Sequence, residues 1–214
     1  MPFRTQFDDT LLFETVIAGI VFVTVVGLFG FALLRYRARG ADPASQATEH
    51  PRAEAIYAAV LLVVALVVVF VTRGAMAADN RAPTAAPVVV RVTGFQWCWR
   101  FDYVGTGVQV TGSCLDGHYP TLVLPARRPV RVEVASQDVI HSFWVPAFRF
   151  KMDALPDHLN SFVITVPHPG TWGGHCAEFC GEDHAFMTFQ LKAVPLTQYR
   201  IWLAGRAARP SPAA

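Results

Sequence analysis

Between Gly173 and Met187 the chain reads Gly-Gly-His-Cys-Ala-Glu-Phe-Cys-Gly-Glu-Asp-His-Ala-Phe-Met, so Cys176, Cys180, His184 and Met187 fall at spacings of four, four and three. Two thiolates, an imidazole and a thioether are soft donors, and soft sets select copper over the hard divalent ions. A second imidazole stands 35 residues earlier in Ile140-His141-Ser142-Phe143, at the end of a strand-like run. The flanking glycines let such a loop fold tightly over an ion. Three other readings stand beside copper. Cys176 and Cys180 could form a short disulfide, which leaves the neighbouring His and Met unexplained. Zinc accepts Cys, Cys and His in a tetrahedral site but has little use for a thioether. Met187 could be a core residue, as most methionines are. Taken together, the donors favour copper.

A loop of this kind needs a scaffold, and the rest of the chain supplies two unlike parts. Of 214 residues, 53% are hydrophobic and only 16% charged, with a net charge of +2. Soluble domains carry about a quarter charged residues, so an ordinary cytosolic enzyme is disfavoured. A disordered chain and one that wraps nucleic acid are excluded on the same ground. The apolar excess sits in two blocks. Thr15 to Leu34 is free of charge and ends at Arg35, Arg37 and Arg39; Ala55 to Thr72 is bracketed by Arg52, Glu54 and Arg73. About 20 apolar residues span a bilayer core, and neither block shows the polar stripe of a soluble core helix. Asp8, Asp9 and Glu14 precede the first block, the wrong sign for a signal peptide, so it reads as a retained anchor. Arginines in the loop between the blocks put that loop in the cytoplasm and both termini outside. The basic set, 16 Arg against 2 Lys, fits a GC-rich bacterial genome, and hence a bacterial plasma membrane.

After an Ala- and Pro-rich linker at 77–87 the apolar period changes to two. Val88–Val92, Val108–Val110, Val130–Val134 and Ser161–Val166 are strand-like, punctuated by Gly and Pro clusters. The expected organisation is a transmembrane hairpin over 1–76, with helices at about 12–36 and 54–75. An all-β sandwich over 88–195 follows, then a C-terminal helix and tail over 196–214. From Pro83 to Pro195 eight Arg and Lys face nine Asp and Glu, so any charged patch there is local.

With these motifs the chain resembles subunit II of the haem–copper cytochrome c oxidases. The resemblance rests on Cys176-Ala177-Glu178-Phe179-Cys180-Gly181 followed by His184 and Met187, and on Asp138-Val139-Ile140-His141-Ser142-Phe143. It extends over nearly the whole chain and implies a cupredoxin-like outer domain holding a binuclear copper A centre that accepts electrons from cytochrome c. By that resemblance Cys176 and Cys180 bridge both coppers and His141 and His184 cap one each. Met187 is a weak ligand to one copper and the backbone carbonyl of Glu178 to the other. The Glu178 side chain then reaches a magnesium at the boundary with subunit I. In Phe95-Gln96-Trp97-Cys98-Trp99-Arg100-Phe101-Asp102-Tyr103, the resemblance makes Trp97 the surface residue where electrons from cytochrome c arrive. Trp99 reads as core. Asp102, Asp138, Asp153 and Asp157 are candidates for an acidic rim that steers a basic cytochrome c, although scattered carboxylates are usually only solvated. Glu54, in Ala53-Glu54-Ala55-Ile56-Tyr57, matches the family's start of helix two; it is either a proton-path residue or an interfacial carboxylate.

The implied partners are oxidase subunit I, the other oxidase subunits, a cytochrome c and membrane lipid, with no nucleic acid. No Cys-x-x-Cys-His motif is present, so this chain is expected to hold no haem of its own. A copper A subunit of a nitric oxide reductase and a membrane-tethered copper chaperone are the alternatives. The sequence also departs from the family pattern. Cys98 stands between the two tryptophans where an aromatic residue is usual, and Cys114 follows. If a hairpin turns at Gly105-Thr106-Gly107, the two are equidistant from Thr106, which predicts a cross-strand disulfide in an oxidising compartment. The second helix lacks a proline often found there. His175 occupies a position usually held by another polar residue, and is expected to be a hydrogen-bonding neighbour of the metal rather than a ligand.

Overall fold

The computed structural model describes residues 2–37, 49–79 and 88–208. Two long helices come first, α1 (Pro2–Arg35) and α2 (Pro51–Asp79). Phe7–Arg35 and Pro51–Gly74 are each long and apolar enough to cross a membrane. Side chains such as Phe22, Leu28, Leu62 and Phe70 lie exposed along them, the pattern of a helix whose solvent is lipid. Pro51 opens α2 at the position where a missing N–H costs nothing. Glu54 accepts the backbone N–H of His50 at 3.0 Å, satisfying one of the donors a helix start leaves unpaired. Both helices run longer than hydropathy alone delimits. Residues 77–79 of the expected linker are the last turn of α2, where Ala-rich sequence favours helix. The rest of that linker (80–87), Arg39 in the inter-helix loop, and the tail from 209 lie outside the described residues.

Ten strands follow: β1 (Val88–Phe95), β2 (Cys98–Tyr103), β3 (Val108–Thr111), β4 (Thr121–Pro125), β5 (Pro129–Ser136), β6 (His141–Val145), β7 (Phe150–Ala154), β8 (Asn160–Thr165), β9 (Gly170–Cys176) and β10 (Thr188–Val194). Helix α3 (Leu196–Ala207) closes the described chain. The strands form two five-stranded sheets, ordered β3-β2-β1-β5-β8 and β4-β10-β9-β6-β7. Pairing is antiparallel except between β1 and β5 and between β4 and β10. This is the all-β sandwich expected above.

Alternation decides which residues fill the space between the sheets. Val130, Val132 and Val134 of β5 point inward and are buried, while Arg131 and Glu133 point out. Glu133 pairs across to Arg91 on β1 at 2.9 Å. From β2 the same period buries Trp99, Phe101 and Tyr103. Trp99 and Phe101 meet Phe143 and Phe189 of the other sheet, which stack on each other at 4.8 Å, while Tyr103 meets Tyr199 and Trp202 of α3. Trp99 stands edge-on to Phe143 and Phe189, at 6.0 and 5.6 Å, geometries that add to the area buried.

Cys98 and Cys114 are disulfide-bonded with Cα atoms 5.3 Å apart, but not as a cross-strand pair. The β2–β3 register pairs Tyr103 with Val108 and Arg100 with Thr111, so its continuation sets Cys98 against Ser113. Cys114 lies beyond β3 in a short 3-10 turn, Cys114–Asp116, and that turn swings its sulfur back under β2. A bond closing a loop of this size contributes about 3 kcal/mol through the unfolded chain. The double variant Cys98→Ser, Cys114→Ser is expected to lose about that much in denaturant unfolding; an unchanged midpoint would contradict it.

Candidate metal centre

Strand pairing explains how donors far apart in sequence converge. β9 and β10 form a hairpin whose last pair is His175 with Thr188, so Cys176 faces Met187 across the start of the intervening loop. The Cys176 N–H donates to the Met187 carbonyl at 2.9 Å. β6 lies against β9 with Phe143 opposite Cys176, which sets His141, the first residue of β6, beside the same loop. The loop is tied down from both sides. Ala177 N–H donates to the Ser142 carbonyl at 3.0 Å, and Met187 N–H closes a turn on the His184 carbonyl at 3.2 Å.

The side chains form one compact donor cluster. Cys176 Sγ lies 3.9 Å from Cys180 Sγ and 3.9 Å from His141 Nδ1. Cys180 Sγ lies 3.4 Å from His184 Nδ1 and 3.8 Å from Met187 Sδ. The Glu178 carbonyl oxygen is 3.3 Å from Cys176 Sγ. Two donors held by one ion at about 2.0–2.3 Å and a tetrahedral angle lie about 3.3–3.8 Å apart. The cluster therefore has the spacing of donors around shared metal. It is not the spacing of a disulfide, whose sulfurs are about 2.0 Å apart. Cys176 and Cys180 are both free and buried. His141 and Met187 are fully buried and His184 is half-buried.

Electrostatics favour a cation here. Burial alone would raise the Cys176 thiol, but hydrogen bonding to His141 and to nearby backbone outweighs it and holds it below the usual thiol value. Cys180 is pushed up to about 12, first by burial and then by the neighbouring Cys176. A thiolate pair in so small a buried space needs positive charge between its members. Burial would lower His141, yet its contacts with Cys176 and Asp138 raise it.

Asp138 fixes the orientation of that ring. Its Oδ1 meets His141 Nε2 at 2.7 Å, leaving Nδ1 turned to the sulfurs, and such carboxylate partners tune and aim metal-binding imidazoles. Burial raises the Asp138 carboxyl, but hydrogen bonds from His141, Gln96 N–H and Val139 N–H outweigh it and hold it below the usual range. Gly94 makes room for the ring: a Cβ there would stand 2.8 Å from His141 Cδ2. Trp97 is partly buried, and its indole N–H donates to the Cys180 carbonyl at 3.1 Å. The Gln96 side chain donates to the same oxygen at 2.8 Å, and its backbone N–H donates to Asp138 Oδ2 at 2.7 Å. Gln96 thus joins both cysteine-loop and histidine supports, and nothing in its sequence position flagged it.

The other sequence-derived candidates add no further side-chain donor to the cluster. Asp102 is engaged by Arg100 at 3.4 Å and by Gln109 at 2.5 Å. Asp153, on β7 opposite Ser142, lies 4.0 Å from Lys151, and Asp157 is exposed in the turn before β8. The Glu178 side chain is exposed. Trp99 is core and touches His141 edge-on at 6.1 Å. His175 is exposed, its ring tilted against Trp144 with centroids 6.2 Å apart. Glu54 caps α2, a helix outside the sandwich.

Residues 88–194 match the family described as cytochrome c oxidase subunit II, periplasmic domain. A cytochrome c oxidase subunit 2 from Alkalihalophilus pseudofirmus is 30% identical over 207 residues, covering 94% of this chain and 58% of that protein. The chain thus spans little more than half the length of that relative. The crystal structure of the periplasmic domain of subunit II of cytochrome oxidase (CoxB) of Bradyrhizobium japonicum superimposes with a TM-score of 0.53 at 31% identity, covering 59% of this chain and 96% of that one. A second solved structure is a mixed disulfide intermediate between a thioredoxin-like protein and subunit II of cytochrome c oxidase. It gives a TM-score of 0.51 at 32% identity, covering 58% of this chain and 95% of that one.

Proposed function

The chain belongs to the cytochrome c oxidase subunit II family, and from that premise we propose that it is the electron-accepting subunit of a membrane-bound, oxygen-reducing, proton-pumping oxidase. Its sandwich is the extracytoplasmic part and its apolar helices are the membrane anchor, with the Arg35–Glu54 loop in the cytoplasm. The observation that carries the reading is the donor cluster itself, two cysteine sulfurs 3.9 Å apart with an imidazole within 3.9 Å of each. Cys176, Cys180, His141, His184, Met187 and the Glu178 carbonyl would hold a binuclear copper A centre. Bound there, the copper pair would take up and release one electron at a time.

The residues around the cluster serve that task. All the donors come from the protein, so no position is left for a substrate. Strand ends and the β9–β10 hairpin hold them in one geometry, which suits a site that must change little as charge arrives. Asp138 holds the His141 ring with Nδ1 inward. Trp97 links the protein surface to the cysteine loop through its hydrogen bond to Cys180, and is proposed as the arrival point for electrons from a separate cytochrome c. Asp102, Asp138, Asp153 and Asp157 would contribute negative charge to that docking face; Asp138 is largely committed to His141. The exposed Glu178 carboxylate is a hard oxygen donor suited to magnesium at a boundary with subunit I. Glu54 is proposed at the mouth of a proton path in that subunit. The oxidase reading is preferred to a nitric oxide reductase because the matched relatives are oxidase subunits. A chaperone would present an exchangeable surface site, whereas these donors come from β6 and from a loop set inside a folded sandwich.

Replacing Trp97 with Phe tests the assignment. Copper content and the visible spectrum should stay as they are, while stopped-flow reduction by ferrocytochrome c slows by roughly tenfold, the scale of losing an interfacial tryptophan. Reduction at the original rate would count against Trp97 and the docking face built on it.

A further inference from the structure

A groove of about 1160 Å³ runs along the side of the sandwich where β3 and β4 end their sheets, with α3 forming one wall. It carries no carboxylate: not one Asp or Glu lines it. Three basic side chains from three separate elements do line it, His118, Lys192 and Arg206. Neither Lys192 nor Arg206 meets a carboxylate among the described residues. Asp102 pairs with Arg100 and accepts a hydrogen bond from Gln109, while Asp116, next to Gly117 at the rim, accepts one from Ser113 and keeps its charge. Two cations without an ion-pair partner in one concave site attract an anionic partner.

The shape and remaining chemistry narrow that partner. Gln109, Gln190 and Gln198 offer amides that both donate and accept, which suits the alternating N–H and C=O groups of a peptide backbone. Trp202 adds an aromatic face. Direct strand addition is blocked, because the Tyr103 hydroxyl donates to the Val123 carbonyl and accepts the Val123 N–H at the edge of β4. Recognition would therefore run through side chains. The wall opposite α3 is also preformed. Ser113 and His118 bridge across their loop, and Cys114 is bonded to Cys98. Pro120 packs so closely over Gly112 that a Cβ there would lie 2.4 Å from its ring and 2.7 Å from Cys98 Sγ. A disulfide outside the family pattern thus stiffens one side of the groove, and preformed walls lower the cost of binding.

We propose that this groove binds an acidic, extended peptide segment of a partner protein, held chiefly by Lys192 and Arg206. The proposal is independent of the metal centre. Its test uses the full-length chain in detergent and a fluorescein-labelled octapeptide of alternating Glu and Ser, read by anisotropy. The acidic peptide should bind, the same peptide with Lys in place of Glu should not, and added salt should weaken binding as it screens exposed charge. Lys192→Glu with Arg206→Glu should weaken binding at least tenfold, and Lys192→Gln with Arg206→Gln by less, as about one charge step separates them. Near-UV circular dichroism of each variant establishes that the sandwich is intact. Equal binding of the Lys peptide, or unchanged affinity in the folded double-Glu variant, would overturn the proposal. So would full competition by inorganic phosphate at the peptide's own concentration, or self-association of the chain through this face.

Discussion

A Cys176→Ser chain is expected to bind neither copper. Cys176 Sγ touches three parts of the cluster: Cys180 Sγ, His141 Nδ1 and the Glu178 carbonyl. A hydroxyl in its place is a harder, far less acidic donor that binds soft copper poorly. If both sulfurs are shared, removing one dismantles both metal positions rather than emptying half of the site. Metal analysis of the purified variant after copper loading should show essentially no bound copper, with the β-sheet circular dichroism retained. One tightly held copper per chain would mean that the sulfurs serve separate ions. Two would mean that Cys176 is not a ligand.

Trp99→Ala should be the most damaging change among the core aromatics. Trp99 is fully buried and stands edge-on to His141, Phe143 and Phe189, so its loss opens a cavity between the sheets directly behind a donor histidine. Truncations of this size cost about 3–5 kcal/mol, a large part of the stability of an ordinary domain. Denaturant unfolding of the full chain should show the sandwich transition shifted by that amount. Copper should also be held less tightly, since the ring that backs His141 is gone. A loss under about 1 kcal/mol would show that the space closes up or that Trp99 packs loosely, against the jigsaw packing described here.

Four of the five side-chain donors were legible because they fall within twelve residues, where chemistry and spacing can be read together. His141 was legible only as a motif; its approach depends on β6 lying beside β9, a tertiary fact. Asp138 was read as a surface acid because three residues of sequence do not reveal that its carboxylate curls back onto the His141 ring. Gln96 gave no signal at all, since both its contacts cross more than eighty or forty residues of chain.

The fold was legible to a similar depth. The valine-rich strands β1, β3 and β5, and β8 with its run to Val166, stood out by period, and the two helices by length of apolar sequence. β9 did not, because Gly173 and Gly174 have low strand propensity; pairing with β10 and β6 on either side makes it a strand. The Cys98–Cys114 bond was expected from two unusual cysteines, but simple counting from Thr106 missed the 3-10 turn that carries Cys114.

As proposed, the cysteine loop and His141 would together hold two coppers that share one unpaired electron. Electron paramagnetic resonance of the copper-loaded, full-length chain, taken alongside its metal content, addresses it most directly. A purple protein with two coppers per chain and one unpaired spin delocalised over both is expected. A colourless chain holding a single Cu(I) or zinc ion would contradict it.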